Sequence, residues 1–408
     1  MIKKAWLPWA LMGSLLLLTT ACQHHKQPAP TSLVEQWIAQ ASKPIAAAPA
    51  QYRLQVIYTA ISRDANGQIQ LSTTPYRVDA EYLYPASTVK LAIAALALEY
   101  VAQLHHVGVD LDSVMQTEPL LPGDQRVEVD TTAASGRPSV RHYVKKILLV
   151  SDNDAYNRLY ELMGQQYIQQ RLTELGFAGA EILHRLERPL SVEDNRRTNA
   201  IHFYDQQGTL LYHQAARQAP ALPARAYTPV GNDYLHDGVL QGKPLDFRQK
   251  NRWTLAQMHR MTQLIMLPET LPTAQRLKLS SADLQFLQQQ MALLPFQSTD
   301  PGYNSAEYWP TYVKFLIYGA AKDARLDPAL HIHNKVGDAY GFLLDSAYVR
   351  DDCSGAEFLL SAALYVNQDG VLNDDRYEYE SIGLPFLQRL GSAALAHART
   401  QASAQCAK

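Results

Sequence analysis

Three short stretches carry residue types that could do covalent chemistry together. The first is Ser87-Thr88-Val89-Lys90. A serine hydroxyl attacks a carbonyl only when a base takes its proton. On a helix, residues i and i+3 share a face, so Lys90 would lie beside Ser87. Burial lowers a lysine pKa, and the neutral amine can then serve as that base. Ser87 at a helix start also offers its own backbone N–H, which has no intrahelical partner, to an oxyanion. Read alone, these four residues equally describe a helix cap followed by a surface lysine. The second stretch is Ser151-Asp152-Asn153, three residues that also favour turns and N-caps. The third is Lys335-Val336-Gly337, placed before a strand-like run.

The surrounding patterns supply elements to hold these residues. Ser87 to Gln103 has few polar residues. A helix that is apolar nearly all round is buried, which would keep Lys90 from solvent. Arg141 to Met163 reads as a helix or helix pair around Ser151. Ser32-Leu33-Val34-Glu35 fits a capping box and predicts a helix to about Ala41. Arg53 to Ser62 and Ile69 to Val78 read as a hairpin about the turn Asp64-Ala65-Asn66-Gly67. Helices are expected over Trp253–Met266, Ser281–Leu294 and Ile382–Ala398, and strands over Leu343–Val349 and Glu357–Val366. This order predicts one sheet built from both chain ends, with a helical region inserted between them.

In this order and on these elements, the three motifs resemble those of class A β-lactamases and penicillin-binding peptidases. Tyr84-Pro85-Ala86-Ser87-Thr88-Val89-Lys90 is similar to the class A nucleophile segment, and the resemblance spans about residues 32 to 398. It implies an α/β (α+β) fold: an antiparallel sheet flanked by helices, plus an all-helical subdomain, with the site between them. It implies that Ser87 is acylated, that Lys90 takes the proton, and that Ser151 relays one toward the leaving nitrogen. Asn153 would bind the substrate amide and Lys90, and Lys335 the substrate carboxylate. Gly337 completes that motif, and the N–H of Asp338 would be the second oxyanion donor. The implied activity is hydrolysis of β-lactam amides through an acyl-enzyme. A D-Ala-D-Ala peptidase-like cell-wall hydrolase and a catalytically weakened penicillin- or peptidoglycan-binding protein are the alternatives. The partner would be a β-lactam or a peptidoglycan-derived small molecule, with no cofactor.

Two departures from the family pattern stand out. Val336 occupies the place of a threonine or serine whose hydroxyl bonds the substrate carboxylate. Losing such a partner costs about 1–3 kcal/mol. The glutamate that activates the hydrolytic water in class A enzymes is also out of register. The region is Arg185-Leu186-Glu187-Arg188-Pro189-Leu190-Ser191-Val192-Glu193-Asp194-Asn195. Glu193, two before Asn195, is the preferred candidate and Glu187 the second, and both also fit solvated loop carboxylates. A long insertion around 199–312, rich in aromatics and prolines, is either an extended wall of the cleft or a packed surface elaboration.

The chain has 408 residues, 47% hydrophobic and 19% charged, with formal net charge -2. That is an ordinary globular mixture without the basic excess expected of a nucleic-acid binder. No dinucleotide or Walker glycine pattern and no His-Glu-x-x-His run occurs. His202, His213, His236, His331 and His333 share no ligand spacing, so no metal site is expected. Lys3, Lys4, an apolar run and Thr19-Thr20-Ala21-Cys22 predict a signal segment over 1–21 and lipidation at Cys22. A plain secretory signal is the other reading. Residues 22–31 would tether the 32–398 domain to a bacterial membrane, facing the periplasm or the cell exterior. In the tail, 399–408, Cys406 could pair with Cys353 or both could stay thiols.

Overall fold

The apolar stretch after Ser87 folds as the helix Val89–Ala102, and every residue from Val89 to Val101 in it is buried. Ser87 itself lies one step earlier, in a single 3-10 turn over Ala86–Thr88. The helix therefore begins two residues later than its pattern predicts, and the tighter turn lifts Ser87 to the helix mouth. A computed structural model describes residues 32–402. The expected signal segment, Cys22, the 22–31 tether and Cys406 lie outside the described residues. Cys353 is disulfide-bonded.

Five strands form the main sheet: β1 (Gln55–Arg63), β2 (Ile69–Tyr76), β3 (Leu330–Ala339), β4 (Phe342–Asp351) and β5 (Glu357–Tyr365). Their order is β3-β4-β5-β1-β2, antiparallel throughout. Both chain ends thus build one sheet, as the element order predicts. In the β1–β2 turn, Asp64 Oδ1 accepts from the N–H groups of Asn66 (2.8 Å) and Gln68 (2.9 Å). One expectation changes. Lys335, Val336 and Gly337 lie inside β3, not ahead of a strand. The run Leu-His-Ile-His-Asn-Lys-Val-Gly-Asp-Ala is too polar to read as a strand from its pattern, because this edge strand borders the cleft and carries polar groups there.

Each face of the sheet carries a core. On one face the helices Leu33–Ala41 and Leu384–Gln401 pack, burying Trp37, Phe358, Phe386 and Leu390. On the other lie the Val89–Ala102 helix, the helix pair Val140–Val150 and Asn153–Glu174, and the helices Leu255–Met266 and Ser281–Ala292. The mixed α/β fold is the expected one. The inserted region is more than helical, however: Val114–Thr117, Ile201–Tyr204 and Leu210–Gln214 form a small three-stranded sheet. Two of these strands come from the long insertion, joined by a turn in which Asp205 Oδ1 accepts from Gln207 and Thr209 N–H groups.

The segment from Arg185 to Asn199 returns almost to its start and is closed by one side chain. Arg185 is 1% exposed, and its Nε donates to Glu161 Oε1 at 2.6 Å. Its Nη2 donates to the Arg197 carbonyl (3.0 Å) and Asn199 Oδ1 (3.2 Å). Asn195 Oδ1 accepts the Arg185 N–H at 2.9 Å. A buried guanidinium so placed staples both ends of the loop to the Asn153–Glu174 helix. Removing one member of a buried ion pair costs about 3–5 kcal/mol, because the other charge is stranded. Arg185→Ala is therefore expected to lose stability on that scale in urea unfolding. A change below about 1 kcal/mol would mean that the staple does not hold the loop.

Candidate active site

The turn carrying Ser87 and the strand carrying Lys335 meet at Gly337. A Cβ at position 337 would lie 2.8 Å from the Ser87 nitrogen and 2.9 Å from the Thr88 nitrogen. Real Cβ atoms do not come so close, so only glycine lets β3 lie against this turn. Ala86, just before Ser87, is forced to φ 47°, a left-handed conformation unusual for a residue with a Cβ. Ser87 is half-buried at the corner these elements make.

Ser151 is the meeting point of two lysines. It sits between the helices Val140–Val150 and Asn153–Glu174, at φ 61°. Asp152 starts the second helix, with Oδ1 accepting from the Ala155 N–H at 2.7 Å. The sequence forms this corner because serine can end one helix while aspartate caps the next. Lys90 Nζ donates to Ser151 Oγ at 3.2 Å and also to the Ser151 carbonyl. Lys335 Nζ donates to the same Oγ at 2.8 Å and to the Val336 carbonyl at 2.9 Å. Lys90 bonds Ser151 and not Asn153, which is where its expected partner differs.

Both lysines are out of water, at 1% and 2% exposure. Burial, and then repulsion from Lys335, lowers the Lys90 pKa well below its ordinary 10.5. Burial likewise lowers Lys335, to about 7, against opposing attraction from Asp338 and Asp345. Asp338 opens to the cleft, yet the crowded walls raise its carboxyl pKa, while Lys335 and Lys90 pull it back.

A cleft of about 430 Å³ opens beside Ser87, bordered by Asn153, Glu187, Asp338 and Tyr340 among others. Of the two glutamates considered as bases, Glu187 and not Glu193 borders this cleft. Glu187 faces the cleft, at φ 55°, close enough for its charge to act on Lys90. Asn157 fixes the preceding residue: its Nδ2 donates to the Leu186 carbonyl (3.0 Å) and its Oδ1 accepts the Leu186 N–H (2.8 Å). Glu193 does not border the cleft. It is 54% exposed and bonded to Arg196 Nη1 at 2.6 Å and Gln218 Nε2 at 2.5 Å. Its place on the short helix Val192–Arg196 turns it toward solvent and the insertion.

Val336 is 3% exposed and packs in the core under the terminal helices, so it brings no polar group to the cleft. The insertion does reach the site, through Lys250. Tyr204, Tyr212, Tyr227 and Tyr234 are not among the cleft-bordering residues. Sequence reading did not find Lys250, Tyr340, His184 or Asn157. Asn157 had a signal, since it lies one turn after Asn153 on the same helix face. Lys250 had none, because the insertion has no motif. Among the described residues no three His, Cys, Asp or Glu side chains converge as metal ligands.

Comparison with known proteins follows this geometry. A comparison with curated protein sequences finds no match. Among solved structures, the chain is similar to β-lactamases from Desulfarculus baarsii, Sphaerobacter thermophilus and Xanthomonas campestris pv. campestris. The identities are 16%, 13% and 15%, with TM-scores of 0.44, 0.47 and 0.48. The matches cover 87%, 90% and 88% of this chain, and 97%, 96% and 98% of those chains. A family model described as the β-lactamase enzyme family matches residues 54–281, which hold Ser87, Lys90, Ser151 and Glu187 and stop short of Lys335. With more than half its length matched, this chain belongs to the β-lactamase enzyme family.

Proposed function

We propose that the protein is a serine hydrolase that acylates Ser87 with the carbonyl of a β-lactam amide and then releases the acid by hydrolysis. The observation that carries this reading is the pair of buried lysines on Ser151 Oγ beside Ser87. Neutral Lys90 accepts the Ser87 hydroxyl proton as the oxygen bonds the carbonyl carbon. Main-chain N–H groups of Ser87 and Asp338 hold the oxyanion. As the C–N bond breaks, the nitrogen receives a proton through Ser151. Lys335, when charged, attracts the substrate carboxylate, and Asn153 holds the substrate amide. In the second half, Glu187 takes a proton from water, the water oxygen bonds the acyl carbon, and Ser87 leaves with a proton restored.

Val336 supports a second reading, a penicillin-binding protein with weak turnover. Its isopropyl group supplies no hydroxyl for a substrate carboxylate. Burst kinetics with a chromogenic cephalosporin separate the two, since a stoichiometric burst without turnover belongs to the second alone.

Ser87→Ala is expected to abolish covalent labelling by a fluorescent penicillin while the protein stays folded. Label persisting on that variant would remove Ser87 from the role.

Glu187→Gln is expected to prolong the acyl-enzyme by about 10²–10⁴-fold, the usual cost of losing a positioned general base, with the burst intact. Glu193→Gln should leave that lifetime unchanged. Mass spectrometry of quenched mixtures reads both. The reverse pattern would return the base to Glu193.

The acylation efficiency kcat/KM should fall as pH rises through the titration of Lys335. Burial lowers the Lys90 pKa well below the ordinary 10.5, so its amine is free to act as base at a lower pH than an ordinary lysine. The efficiency falls through about 7, as free Lys335 loses the charge that draws the carboxylate. A profile still rising between pH 7 and 9 would exclude this role for Lys335.

A further inference from the structure

The cleft holds a cation that the proposed reaction leaves idle. Lys250, near the middle of the insertion, borders the same cleft as Ser87. Its Nζ donates to Tyr340 OH at 3.1 Å and lies 5.1 Å from the centre of that ring. No carboxylate pairs with it among the described residues. The two carboxylates of the cleft are already engaged by charge: Glu187 and Asp338 act on Lys90, and Asp338 on Lys335.

Tyr340 is a built platform for this lysine. It is the first of the two residues that turn β3 into β4, where the hairpin sets both Tyr340 (φ 54°) and Gly341 (φ 81°) in the left-handed region. Edge contacts hold its ring, with centres 5.3 Å from Tyr84 and 5.2 Å from Phe247.

A second polar group in the same wall lacks a partner. His184 Nδ1 lies 2.7 Å from the Arg185 carbonyl, so Nδ1 carries the proton and Nε2 is a lone-pair acceptor. Nε2 is buried without a hydrogen bond. His184 and Lys250 both border the Ser87 cleft and also an adjoining cavity of about 240 Å³, closed on its far side by Ala221 to Arg225 of the insertion. Burial and the nearby Lys250 charge keep the imidazole neutral, with a pKa of about 4.

We propose that Lys250 and His184 form a subsite for the acyl side of the substrate, selecting acyl groups that carry a carboxylate. Lys250 binds that carboxylate from its Tyr340 platform. The neutral His184 ring forms the wall beside it and adds no competing charge. The substrate class is then an amide with an anionic acyl arm, distinct from the carboxylate drawn by Lys335. This deepens the proposed function and rests on it for the position of the reacting carbonyl.

The test uses noncovalent binding to the full-length Ser87→Ala protein, so that it does not need turnover. The probes are two cephalosporins with one nucleus, one bearing a glutaryl and the other a phenylacetyl arm, measured by calorimetry. A charge-assisted hydrogen bond of about 1.5–3 kcal/mol corresponds to at least about tenfold in affinity. The glutaryl-to-phenylacetyl affinity ratio is expected to be about ten or more. Adding Lys250→Met should bring that ratio near one, and adding Lys250→Arg should restore it. A ratio near one in the Ser87→Ala parent, a ratio unmoved by Lys250→Met, or no binding of either probe overturns the subsite. Acylation of the wild-type protein by the phenylacetyl probe is read separately by intact mass. Its absence would sink the hydrolase reading, whereas its presence with a flat ratio would sink the subsite alone.

Discussion

Two amines held out of water against one hydroxyl set the terms for the rest of the molecule. Taking an ammonium from water into a protein interior is costly, and two neighbouring ammoniums also repel each other. Lys90 and Lys335 can stay there because their protons are easily given up and because Ser151 and main-chain carbonyls accept what they donate. That demands a rigid surround. The Val89–Ala102 helix supplies it for Lys90 by being buried on every side. The main sheet supplies it for Lys335, whose strand is pressed against the Ser87 turn at Gly337. The helix pair supplies it for Ser151, pinned in a left-handed conformation between two helix ends.

Much of this frame was legible in the sequence. A run with few polar residues after Ser87 reads as an interior helix, and burial in such a helix sets Lys90 apart from a surface lysine. Strands at both chain ends likewise announced a shared sheet. What stayed hidden were matters of direction. The family resemblance places Glu187 and Glu193 on the same loop, but which one faces inward depends on backbone turns, and Glu187 reaches the cleft at φ 55°. Polar strand β3 did not look like a strand, because alternation is lost where one edge serves a cleft. Val336 lacks the hydroxyl that the resemblance leads one to expect, and its side chain packs into the core under the terminal helices.

The insertion illustrates a different limit. Its aromatic content fits either a cleft wall or a packed surface elaboration, and its contribution to the Ser87 cleft is a lysine with no surrounding motif. Its other contribution is the stretch from Ala221 to Arg225 that closes the neighbouring cavity. A loop of this length is tolerated because closing it costs little extra entropy per added residue. What fixes its approach to the cleft is local: the Arg225 Nη1 donates to the carbonyls of Arg248 (3.0 Å) and Lys250 (3.3 Å).

The pairing of β1 with β5 has a consequence for how the chain reaches its native state. Gln55 sits opposite Ala363, so the sheet cannot close until nearly the whole polypeptide is available. Such sequence-distant pairings raise contact order and slow folding, since a long loop must be ordered before its contacts are gained. During synthesis the Ser87 helix and the β1–β2 hairpin emerge early, with their apolar faces uncovered until the last third of the chain arrives. For that interval the same surfaces that later shelter two lysines are open to misassociation.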